Sequence, residues 1–165
     1  MAVGGGGTGV EGLLARHGLE LLGVAHTAFA FSPPDAPHLA VKVGLAPDDG
    51  WPAWAAWARE NPSSHLPCVA SFDWIVTGGR RRLFVAAVER LYPSLVGSRW
   101  IKACPAGKRD PLALADHVAP SHSSVAALLR AAAAAFPAGR WDMGGPNWLE
   151  RQDGTLVLND PLSRA

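Results

Sequence analysis

The sequence predicts an α+β fold: a small antiparallel sheet with one helix, followed by a helix, a loop and a hairpin. Three observations predict it. Short apolar runs with period-two alternation, separated by turn signals, fill residues 23–88. One amphipathic helix interrupts them at 47–61. An Ala- and Leu-rich helix at 125–136 then leads through a loop into a hairpin marked by Asp153-Gly154.

Residues 1–10 are Gly-rich and read as a flexible tail, without the basic start and apolar stretch of a signal peptide. Residues 11–22 suit a short helix broken at Gly18, or a helix leading into a strand. GVAHTAFAF at 23–31 alternates as a strand does, and HLAVKV at 38–43 is its hairpin partner. SPPDAP between them is a turn, because two prolines and an Asp cannot continue a central strand. In the 47–61 helix Trp51, Trp54, Ala55 and Ala58 share one face, Asp48 or Asp49 can cap the start, and Asn61-Pro62 ends it. Residues 69–77 and 81–88 are two more strands joined at Gly78-Gly79. Residues 89–124 are irregular, with short helical stretches near 91–101 and 112–117. Ser123 or Ser124 caps the 125–136 helix and 137–139 stops it. A loop at 141–147 precedes the hairpin strands 148–151 and 155–158.

The composition narrows the function classes. A formal net charge of +1 provides no basic field for nucleic acid. No apolar run approaches the roughly 18–20 residues of a membrane span. Cys68 and Cys104 stand outside any CxxC or Cys/His cluster and read as two free buried thiols in a cytoplasmic protein. The six histidines lack metal-ligand spacing, Arg80-Arg81-Arg82 reads as a solvated hairpin end, and the serines at 121–124 lack a nucleophile motif. Trp51, Trp54 and Trp57 on one helix form either a Trp-rich core or a surface that meets a protein partner or a second copy of the chain as a homodimer.

The chemistry concentrates at 141–163, WDMGGPNWLERQDGTLVLNDPLS. Asp142 and Asn147 lie five residues apart in the loop, and Asp160 follows the hairpin thirteen residues after Asn147. Phosphoryl transfer needs a carboxylate beside the attacking hydroxyl and oxygen ligands for one or two Mg²⁺ ions, which an Asn amide oxygen and an Asp carboxylate supply. A hairpin turning at Asp153-Gly154 returns Asp160 close to Asn147. This segment resembles the catalytic segment of the protein kinase and aminoglycoside phosphotransferase superfamily. The pattern Trp-Asp-Met, Asn, Asp-Gly-Thr-Leu-Val, Asp-Pro-Leu is similar, more narrowly, to small kinase-like proteins of tailed bacteriophages.

The resemblance implies an N-lobe-like part at 11–88 and a truncated C-lobe-like part at 89–165. It implies a nucleotide partner, ATP with Mg as cofactors, and a phosphate-contacting Lys42 in the 38–43 strand. Glu60, at the end of the 47–61 helix, would pair with Lys42, and the backbone of 87–89 would face an adenine. Lys42 alternatively reads as an outward residue of an edge strand. Asp142 would be the catalytic base, with Asn147 and Asp160 as the metal ligands. Three features depart from the family: the chain stops just after Asp160, the phosphate loop at 23–31 has one glycine, and Gly144 stands where phosphotransferases usually carry a bracing His. Two functions follow. One is an active minimal kinase. The other is a catalytically impaired pseudokinase serving as a protein-binding module, in a phage setting one that meets a host protein.

Overall fold

β-branched and small apolar residues at alternating positions drive residues 20–24, 28–32, 39–46, 69–76 and 82–89 into strands. The computed structural model describes residues 16–24, 28–46, 50–76 and 82–163. It is an α+β fold whose strand pairs with a given register are all antiparallel. The tail at 1–10, the caps Asp48 and Asp49, and the Gly78-Gly79 turn lie outside the described residues. No described helix is long and apolar enough to cross a membrane. The described residues of Met1–Ala46 and Ala70–Arg90 form one compact unit, and those of Pro47–Val69 and Leu91–Ala165 a second.

In the first unit β1 (Glu20–Val24), β2 (Ala28–Ser32), β3 (Leu39–Ala46), β4 (Val69–Val76) and β5 (Arg82–Glu89) form a sheet in the order β1-β2-β3-β5-β4. The expected single strand over 23–31 is two strands. Glu20–Val24 pairs antiparallel with Ala28–Ser32, so the end of the 11–22 stretch is strand, while 11–15 lie outside the described residues. Arg90 fastens this edge, its guanidinium meeting both Glu20 carboxylate oxygens at 2.9 Å. Phe84 covers Gly44, where a Cβ would come within 2.4 Å of its ring, so this position of β3 needs glycine for space. Phe72 stacks on Phe84, and Arg82 lies over the Trp74 ring at 4.2 Å.

The second unit is built around tryptophans. Helix α1 (Trp51–Glu60) starts at Gly50 without a side-chain cap and carries a proline in its first turn. Trp51 and Trp54 are fully buried, and their indole N–H groups donate to the carbonyls of Asn159 and Leu158, each at 3.1 Å. These two rings are core, not partner surface; Trp57 is half-buried. After the helix, His65 grips the hairpin: its carbonyl accepts from Leu158 N–H at 2.9 Å, and its Nδ1 meets Leu156 O at 2.8 Å. Arg151 donates to the carbonyls of Ser64 and Leu66.

The stretch read as irregular holds β6 (Tyr92–Pro93), α2 (Val96–Ala103), a 3₁₀ turn at Pro105–Lys108 and α3 (Pro111–Val118). Asp110 caps α3, one carboxylate oxygen accepting from Leu112 and Ala113 N–H at 2.9 and 3.1 Å. Helix α4 (Ser123–Ala135) begins two residues before the expected start. Neither Ser123 nor Ser124 caps it; Ser124 Oγ instead meets His65 Nε2 at 2.8 Å, and His122 holds the cap position. The thiols are free, yet only Cys104 is partly covered; Cys68 is exposed rather than buried.

The predicted hairpin forms from β8 (Trp148–Glu150) and β9 (Leu156–Leu158), in register Trp148↔Leu158. Gly154 turns it with φ +82, a left-handed conformation that glycine adopts without a Cβ penalty. Val157, Leu158 and Trp148 have no measurable exposure, so the hairpin belongs to the core of this unit.

Two expected outcomes follow. Gly97 lies in α2, where alanine would ordinarily stabilise a helix by about 1 kcal/mol. A Cβ there would meet the Trp148 ring at 2.3 Å, so Gly97→Ala should instead destabilise by about 1–3 kcal/mol in chemical denaturation. At the hairpin turn the Thr155 amide, then the Thr155 hydroxyl, hold the exposed Asp153 carboxyl below the ordinary aspartate range, with a smaller contribution from Arg151. A depressed folded value favours the charged form. Its contribution is therefore present above the ordinary aspartate pKa of about 3.9 and is lost as pH falls through the depressed value. Titration followed by NMR should place the Asp153 midpoint below that of a free aspartate, and Thr155→Val should raise it.

Candidate functional site

The loop at 142–147 and the chain at 159–161 are neighbours through backbone bonds. Asp142 N–H donates to Pro161 O at 2.8 Å, and Asn159 N–H donates to Asn147 O at 2.9 Å. Asp160 sits between the two tied residues. On either side the contact extends: β7 (Arg140–Trp141) pairs with β10 (Leu162–Ser163), and Trp148 pairs with Leu158. Asp142, Asn147 and Asp160 are therefore carried on two chain segments joined at one place, and all three residues are half-buried.

The loop is shaped for its side chains. Asp142 Oδ1 accepts from Gly144 N–H at 3.1 Å, which fixes the carboxylate. A Cβ on Gly144 would stand 3.0 Å from that same oxygen, and one on Gly145 would strike Ser98 Oγ at 1.9 Å. The glycines give close approach. Bracing comes from elsewhere: Met143 is fully buried, its N–H donates to Lys108 O at 2.8 Å, and its carbonyl accepts from Trp148 Nε1 at 3.2 Å. The loop is thus braced through the Met143 backbone, by Lys108 O on one side and the Trp148 indole on the other.

Asn147 Nδ2 donates to Asp142 O at 2.7 Å. A carbonyl acceptor requires the NH₂ side of the amide, so Oδ1 is left as the oxygen directed elsewhere. Asn147 Oδ1 and the Asp160 carboxylate are hard oxygen donors. That set fits magnesium, which takes one or two carboxylates and completes its shell with water and phosphate oxygens. Among the described residues no group of three or more His, Cys, Asp or Glu side chains gathers as for a metal held by protein alone.

The remaining expected residues lie apart along the chain. Lys42 belongs to the first unit, on β3, which is flanked by β2 and β5, with Ala30 and Ala86 as its cross-strand neighbours. It is 8% exposed, which removes the reading of an outward residue on an edge strand. Glu60 is the exposed last residue of α1, in the second unit.

A cavity of about 500 Å³ opens beside Asp142. It is lined by Lys108, Arg109, Arg140, Trp141, Asp142 and Ser163, and Asn147 and Asp160 do not line it. Lys108, Arg109 and Arg140 belong to no motif in the sequence. No spacing links these cations; the Met143-to-Lys108 bond and the β7–β10 pairing bring them together. No protein-family model matches this chain, and no curated protein matches it.

Proposed function

We propose that this chain is a minimal kinase-like phosphotransferase that uses ATP with magnesium. One observation carries the reading: Asp142 and Asn147 are bonded to the residues on either side of Asp160. Phosphoryl transfer depends on positioning more than on covalent chemistry by the protein, so a rigid placement of these groups is what the reaction asks for.

In this reading Asp142 accepts the proton of the acceptor hydroxyl, its carboxylate oriented by Gly144 N–H. Asn147 Oδ1 and Asp160 hold magnesium, which when bound neutralises charge on the nucleotide phosphates. The Asn147 amide bond to Asp142 O couples the metal ligand to the base loop. The resemblance alone assigns Lys42 to phosphate contact and Glu60 to pairing with it.

A second reading is a pseudokinase that binds a protein. Trp74, Ile75 and Val76 on the edge strand β4 favour it, being 40%, 47% and 69% exposed. An apolar run on an edge is a template for a partner strand.

Titration with Mg²⁺–ATP should raise the melting temperature, with about 2.7 kcal/mol of stabilisation at a hundredfold excess over Kd. Asp160→Ala should remove the Mg²⁺-dependent part; an unchanged shift in that variant contradicts a metal role for Asp160. Transfer of labelled phosphate to a small hydroxyl acceptor, abolished in Asp142→Ala, is expected of the first reading. Binding without any transfer selects the second.

A further inference from the structure

We propose that the cavity beside Asp142 binds the acceptor, and that the acceptor is a small hydroxyl compound carrying a phosphate monoester. This deepens the phosphotransfer reading and rests on it. The cavity of about 500 Å³ has the size of a small-molecule site, not of a groove for a folded protein.

Charge selects the chemistry. Lys108 and Arg109 bring two positive charges to a lining that also holds Arg140 and the Asp142 carboxylate, an excess of positive charge. The whole chain carries only +1, so the excess is local. A phosphate monoester carries about −1.5 to −2 at neutral pH and matches it, whereas a carboxylate would leave a cation over. The Arg109 guanidinium suits bidentate contact with phosphate oxygens, and the Lys108 ammonium supplies a further donor. Lys108 and Arg109 have exposed side chains with no ion pair among the described residues. The backbones beneath are fixed: Lys108 O holds Met143 N–H at 2.8 Å, and Arg140 O accepts from Ser163 Oγ at 3.2 Å. Trp141 adds an aromatic side chain to the lining.

With the phosphate so held, a hydroxyl of the same molecule reaches Asp142. Its oxygen forms a bond to the γ-phosphorus of a nucleoside triphosphate, and the bond from that phosphorus to the β–γ bridging oxygen breaks. The nucleoside diphosphate leaves with the electron pair, and the hydroxyl proton passes to the Asp142 carboxylate.

The probe is glycerol 3-phosphate, with glycerol as the neutral control, titrated calorimetrically into the full chain without nucleotide. Saturable binding of the phosphate and none of glycerol are expected. Lys108→Gln and Arg109→Gln should each weaken it roughly tenfold, with melting temperatures unchanged because both side chains are exposed. Asp142→Asn should bind glycerol 3-phosphate more tightly while transferring nothing. No binding, or equal affinity in Arg109→Gln, overturns the proposal while Mg²⁺–ATP stabilisation keeps the phosphotransfer reading intact. Charge-dependent binding without any response to Mg²⁺–ATP overturns the acceptor role together with that reading.

Discussion

Two backbone hydrogen bonds, Asp142 N–H to Pro161 O and Asn159 N–H to Asn147 O, hold the 142–147 loop against the strand that returns from the hairpin. A hydrogen bond contributes only about 1 kcal/mol net, but leaving a buried backbone group unpaired costs about 1–3 kcal/mol. The returning segment is therefore strongly determined, because its carbonyls are claimed from more than one side. Trp54 takes Leu158 O, Trp51 takes Asn159 O, and the Asp142 amide takes Pro161 O. Asp160 is positioned by neighbours whose polar groups are already committed. This is how a 165-residue chain can present a defined site with a small core.

The same economy shapes the loop. Gly144 and Gly145 bring backbone close to the Asp142 carboxylate and to Ser98, where side chains would collide. Stiffness then comes from the buried Met143, whose backbone is bonded to Lys108 O and to the Trp148 indole. The loop is held by a main-chain bond into Lys108 and by the Trp148 indole, and this bracing also brings the basic dipeptide beside Asp142. The cavity and the proposed metal ligands thus share one support.

What the sequence made legible is local. The hairpin is written in Asp153-Gly154 between apolar runs, and α1 in the spacing of Trp51, Trp54, Ala55 and Ala58, all four of which are buried. The spacing of Asp142, Asn147 and Asp160 was visible for the same reason, since one hairpin accounts for their approach. What was hidden depends on partners distant in the chain. The sequence between β1 and β2 holds no recognisable turn dipeptide, and the two-residue strands β7 and β10 exist only through each other. Ser124 looked like a cap, but His65, fifty-nine residues away, takes its hydroxyl. The sequence left the α1 tryptophans open between core and partner surface because the carbonyls that absorb Trp51 and Trp54 lie more than a hundred residues later.

The central claim is that Asn147 and Asp160 face one divalent cation delivered with a nucleotide. Paramagnetic broadening by Mn²⁺–ATP tests it most directly, because it reports distance to the ion at each residue independently of catalysis. The account predicts that the Asn147 side-chain amide and the Asp160 backbone amide broaden together at substoichiometric Mn²⁺, while Gly154 at the hairpin tip stays sharp. Broadening of only one of the pair, or broadening elsewhere with both unaffected, would contradict it.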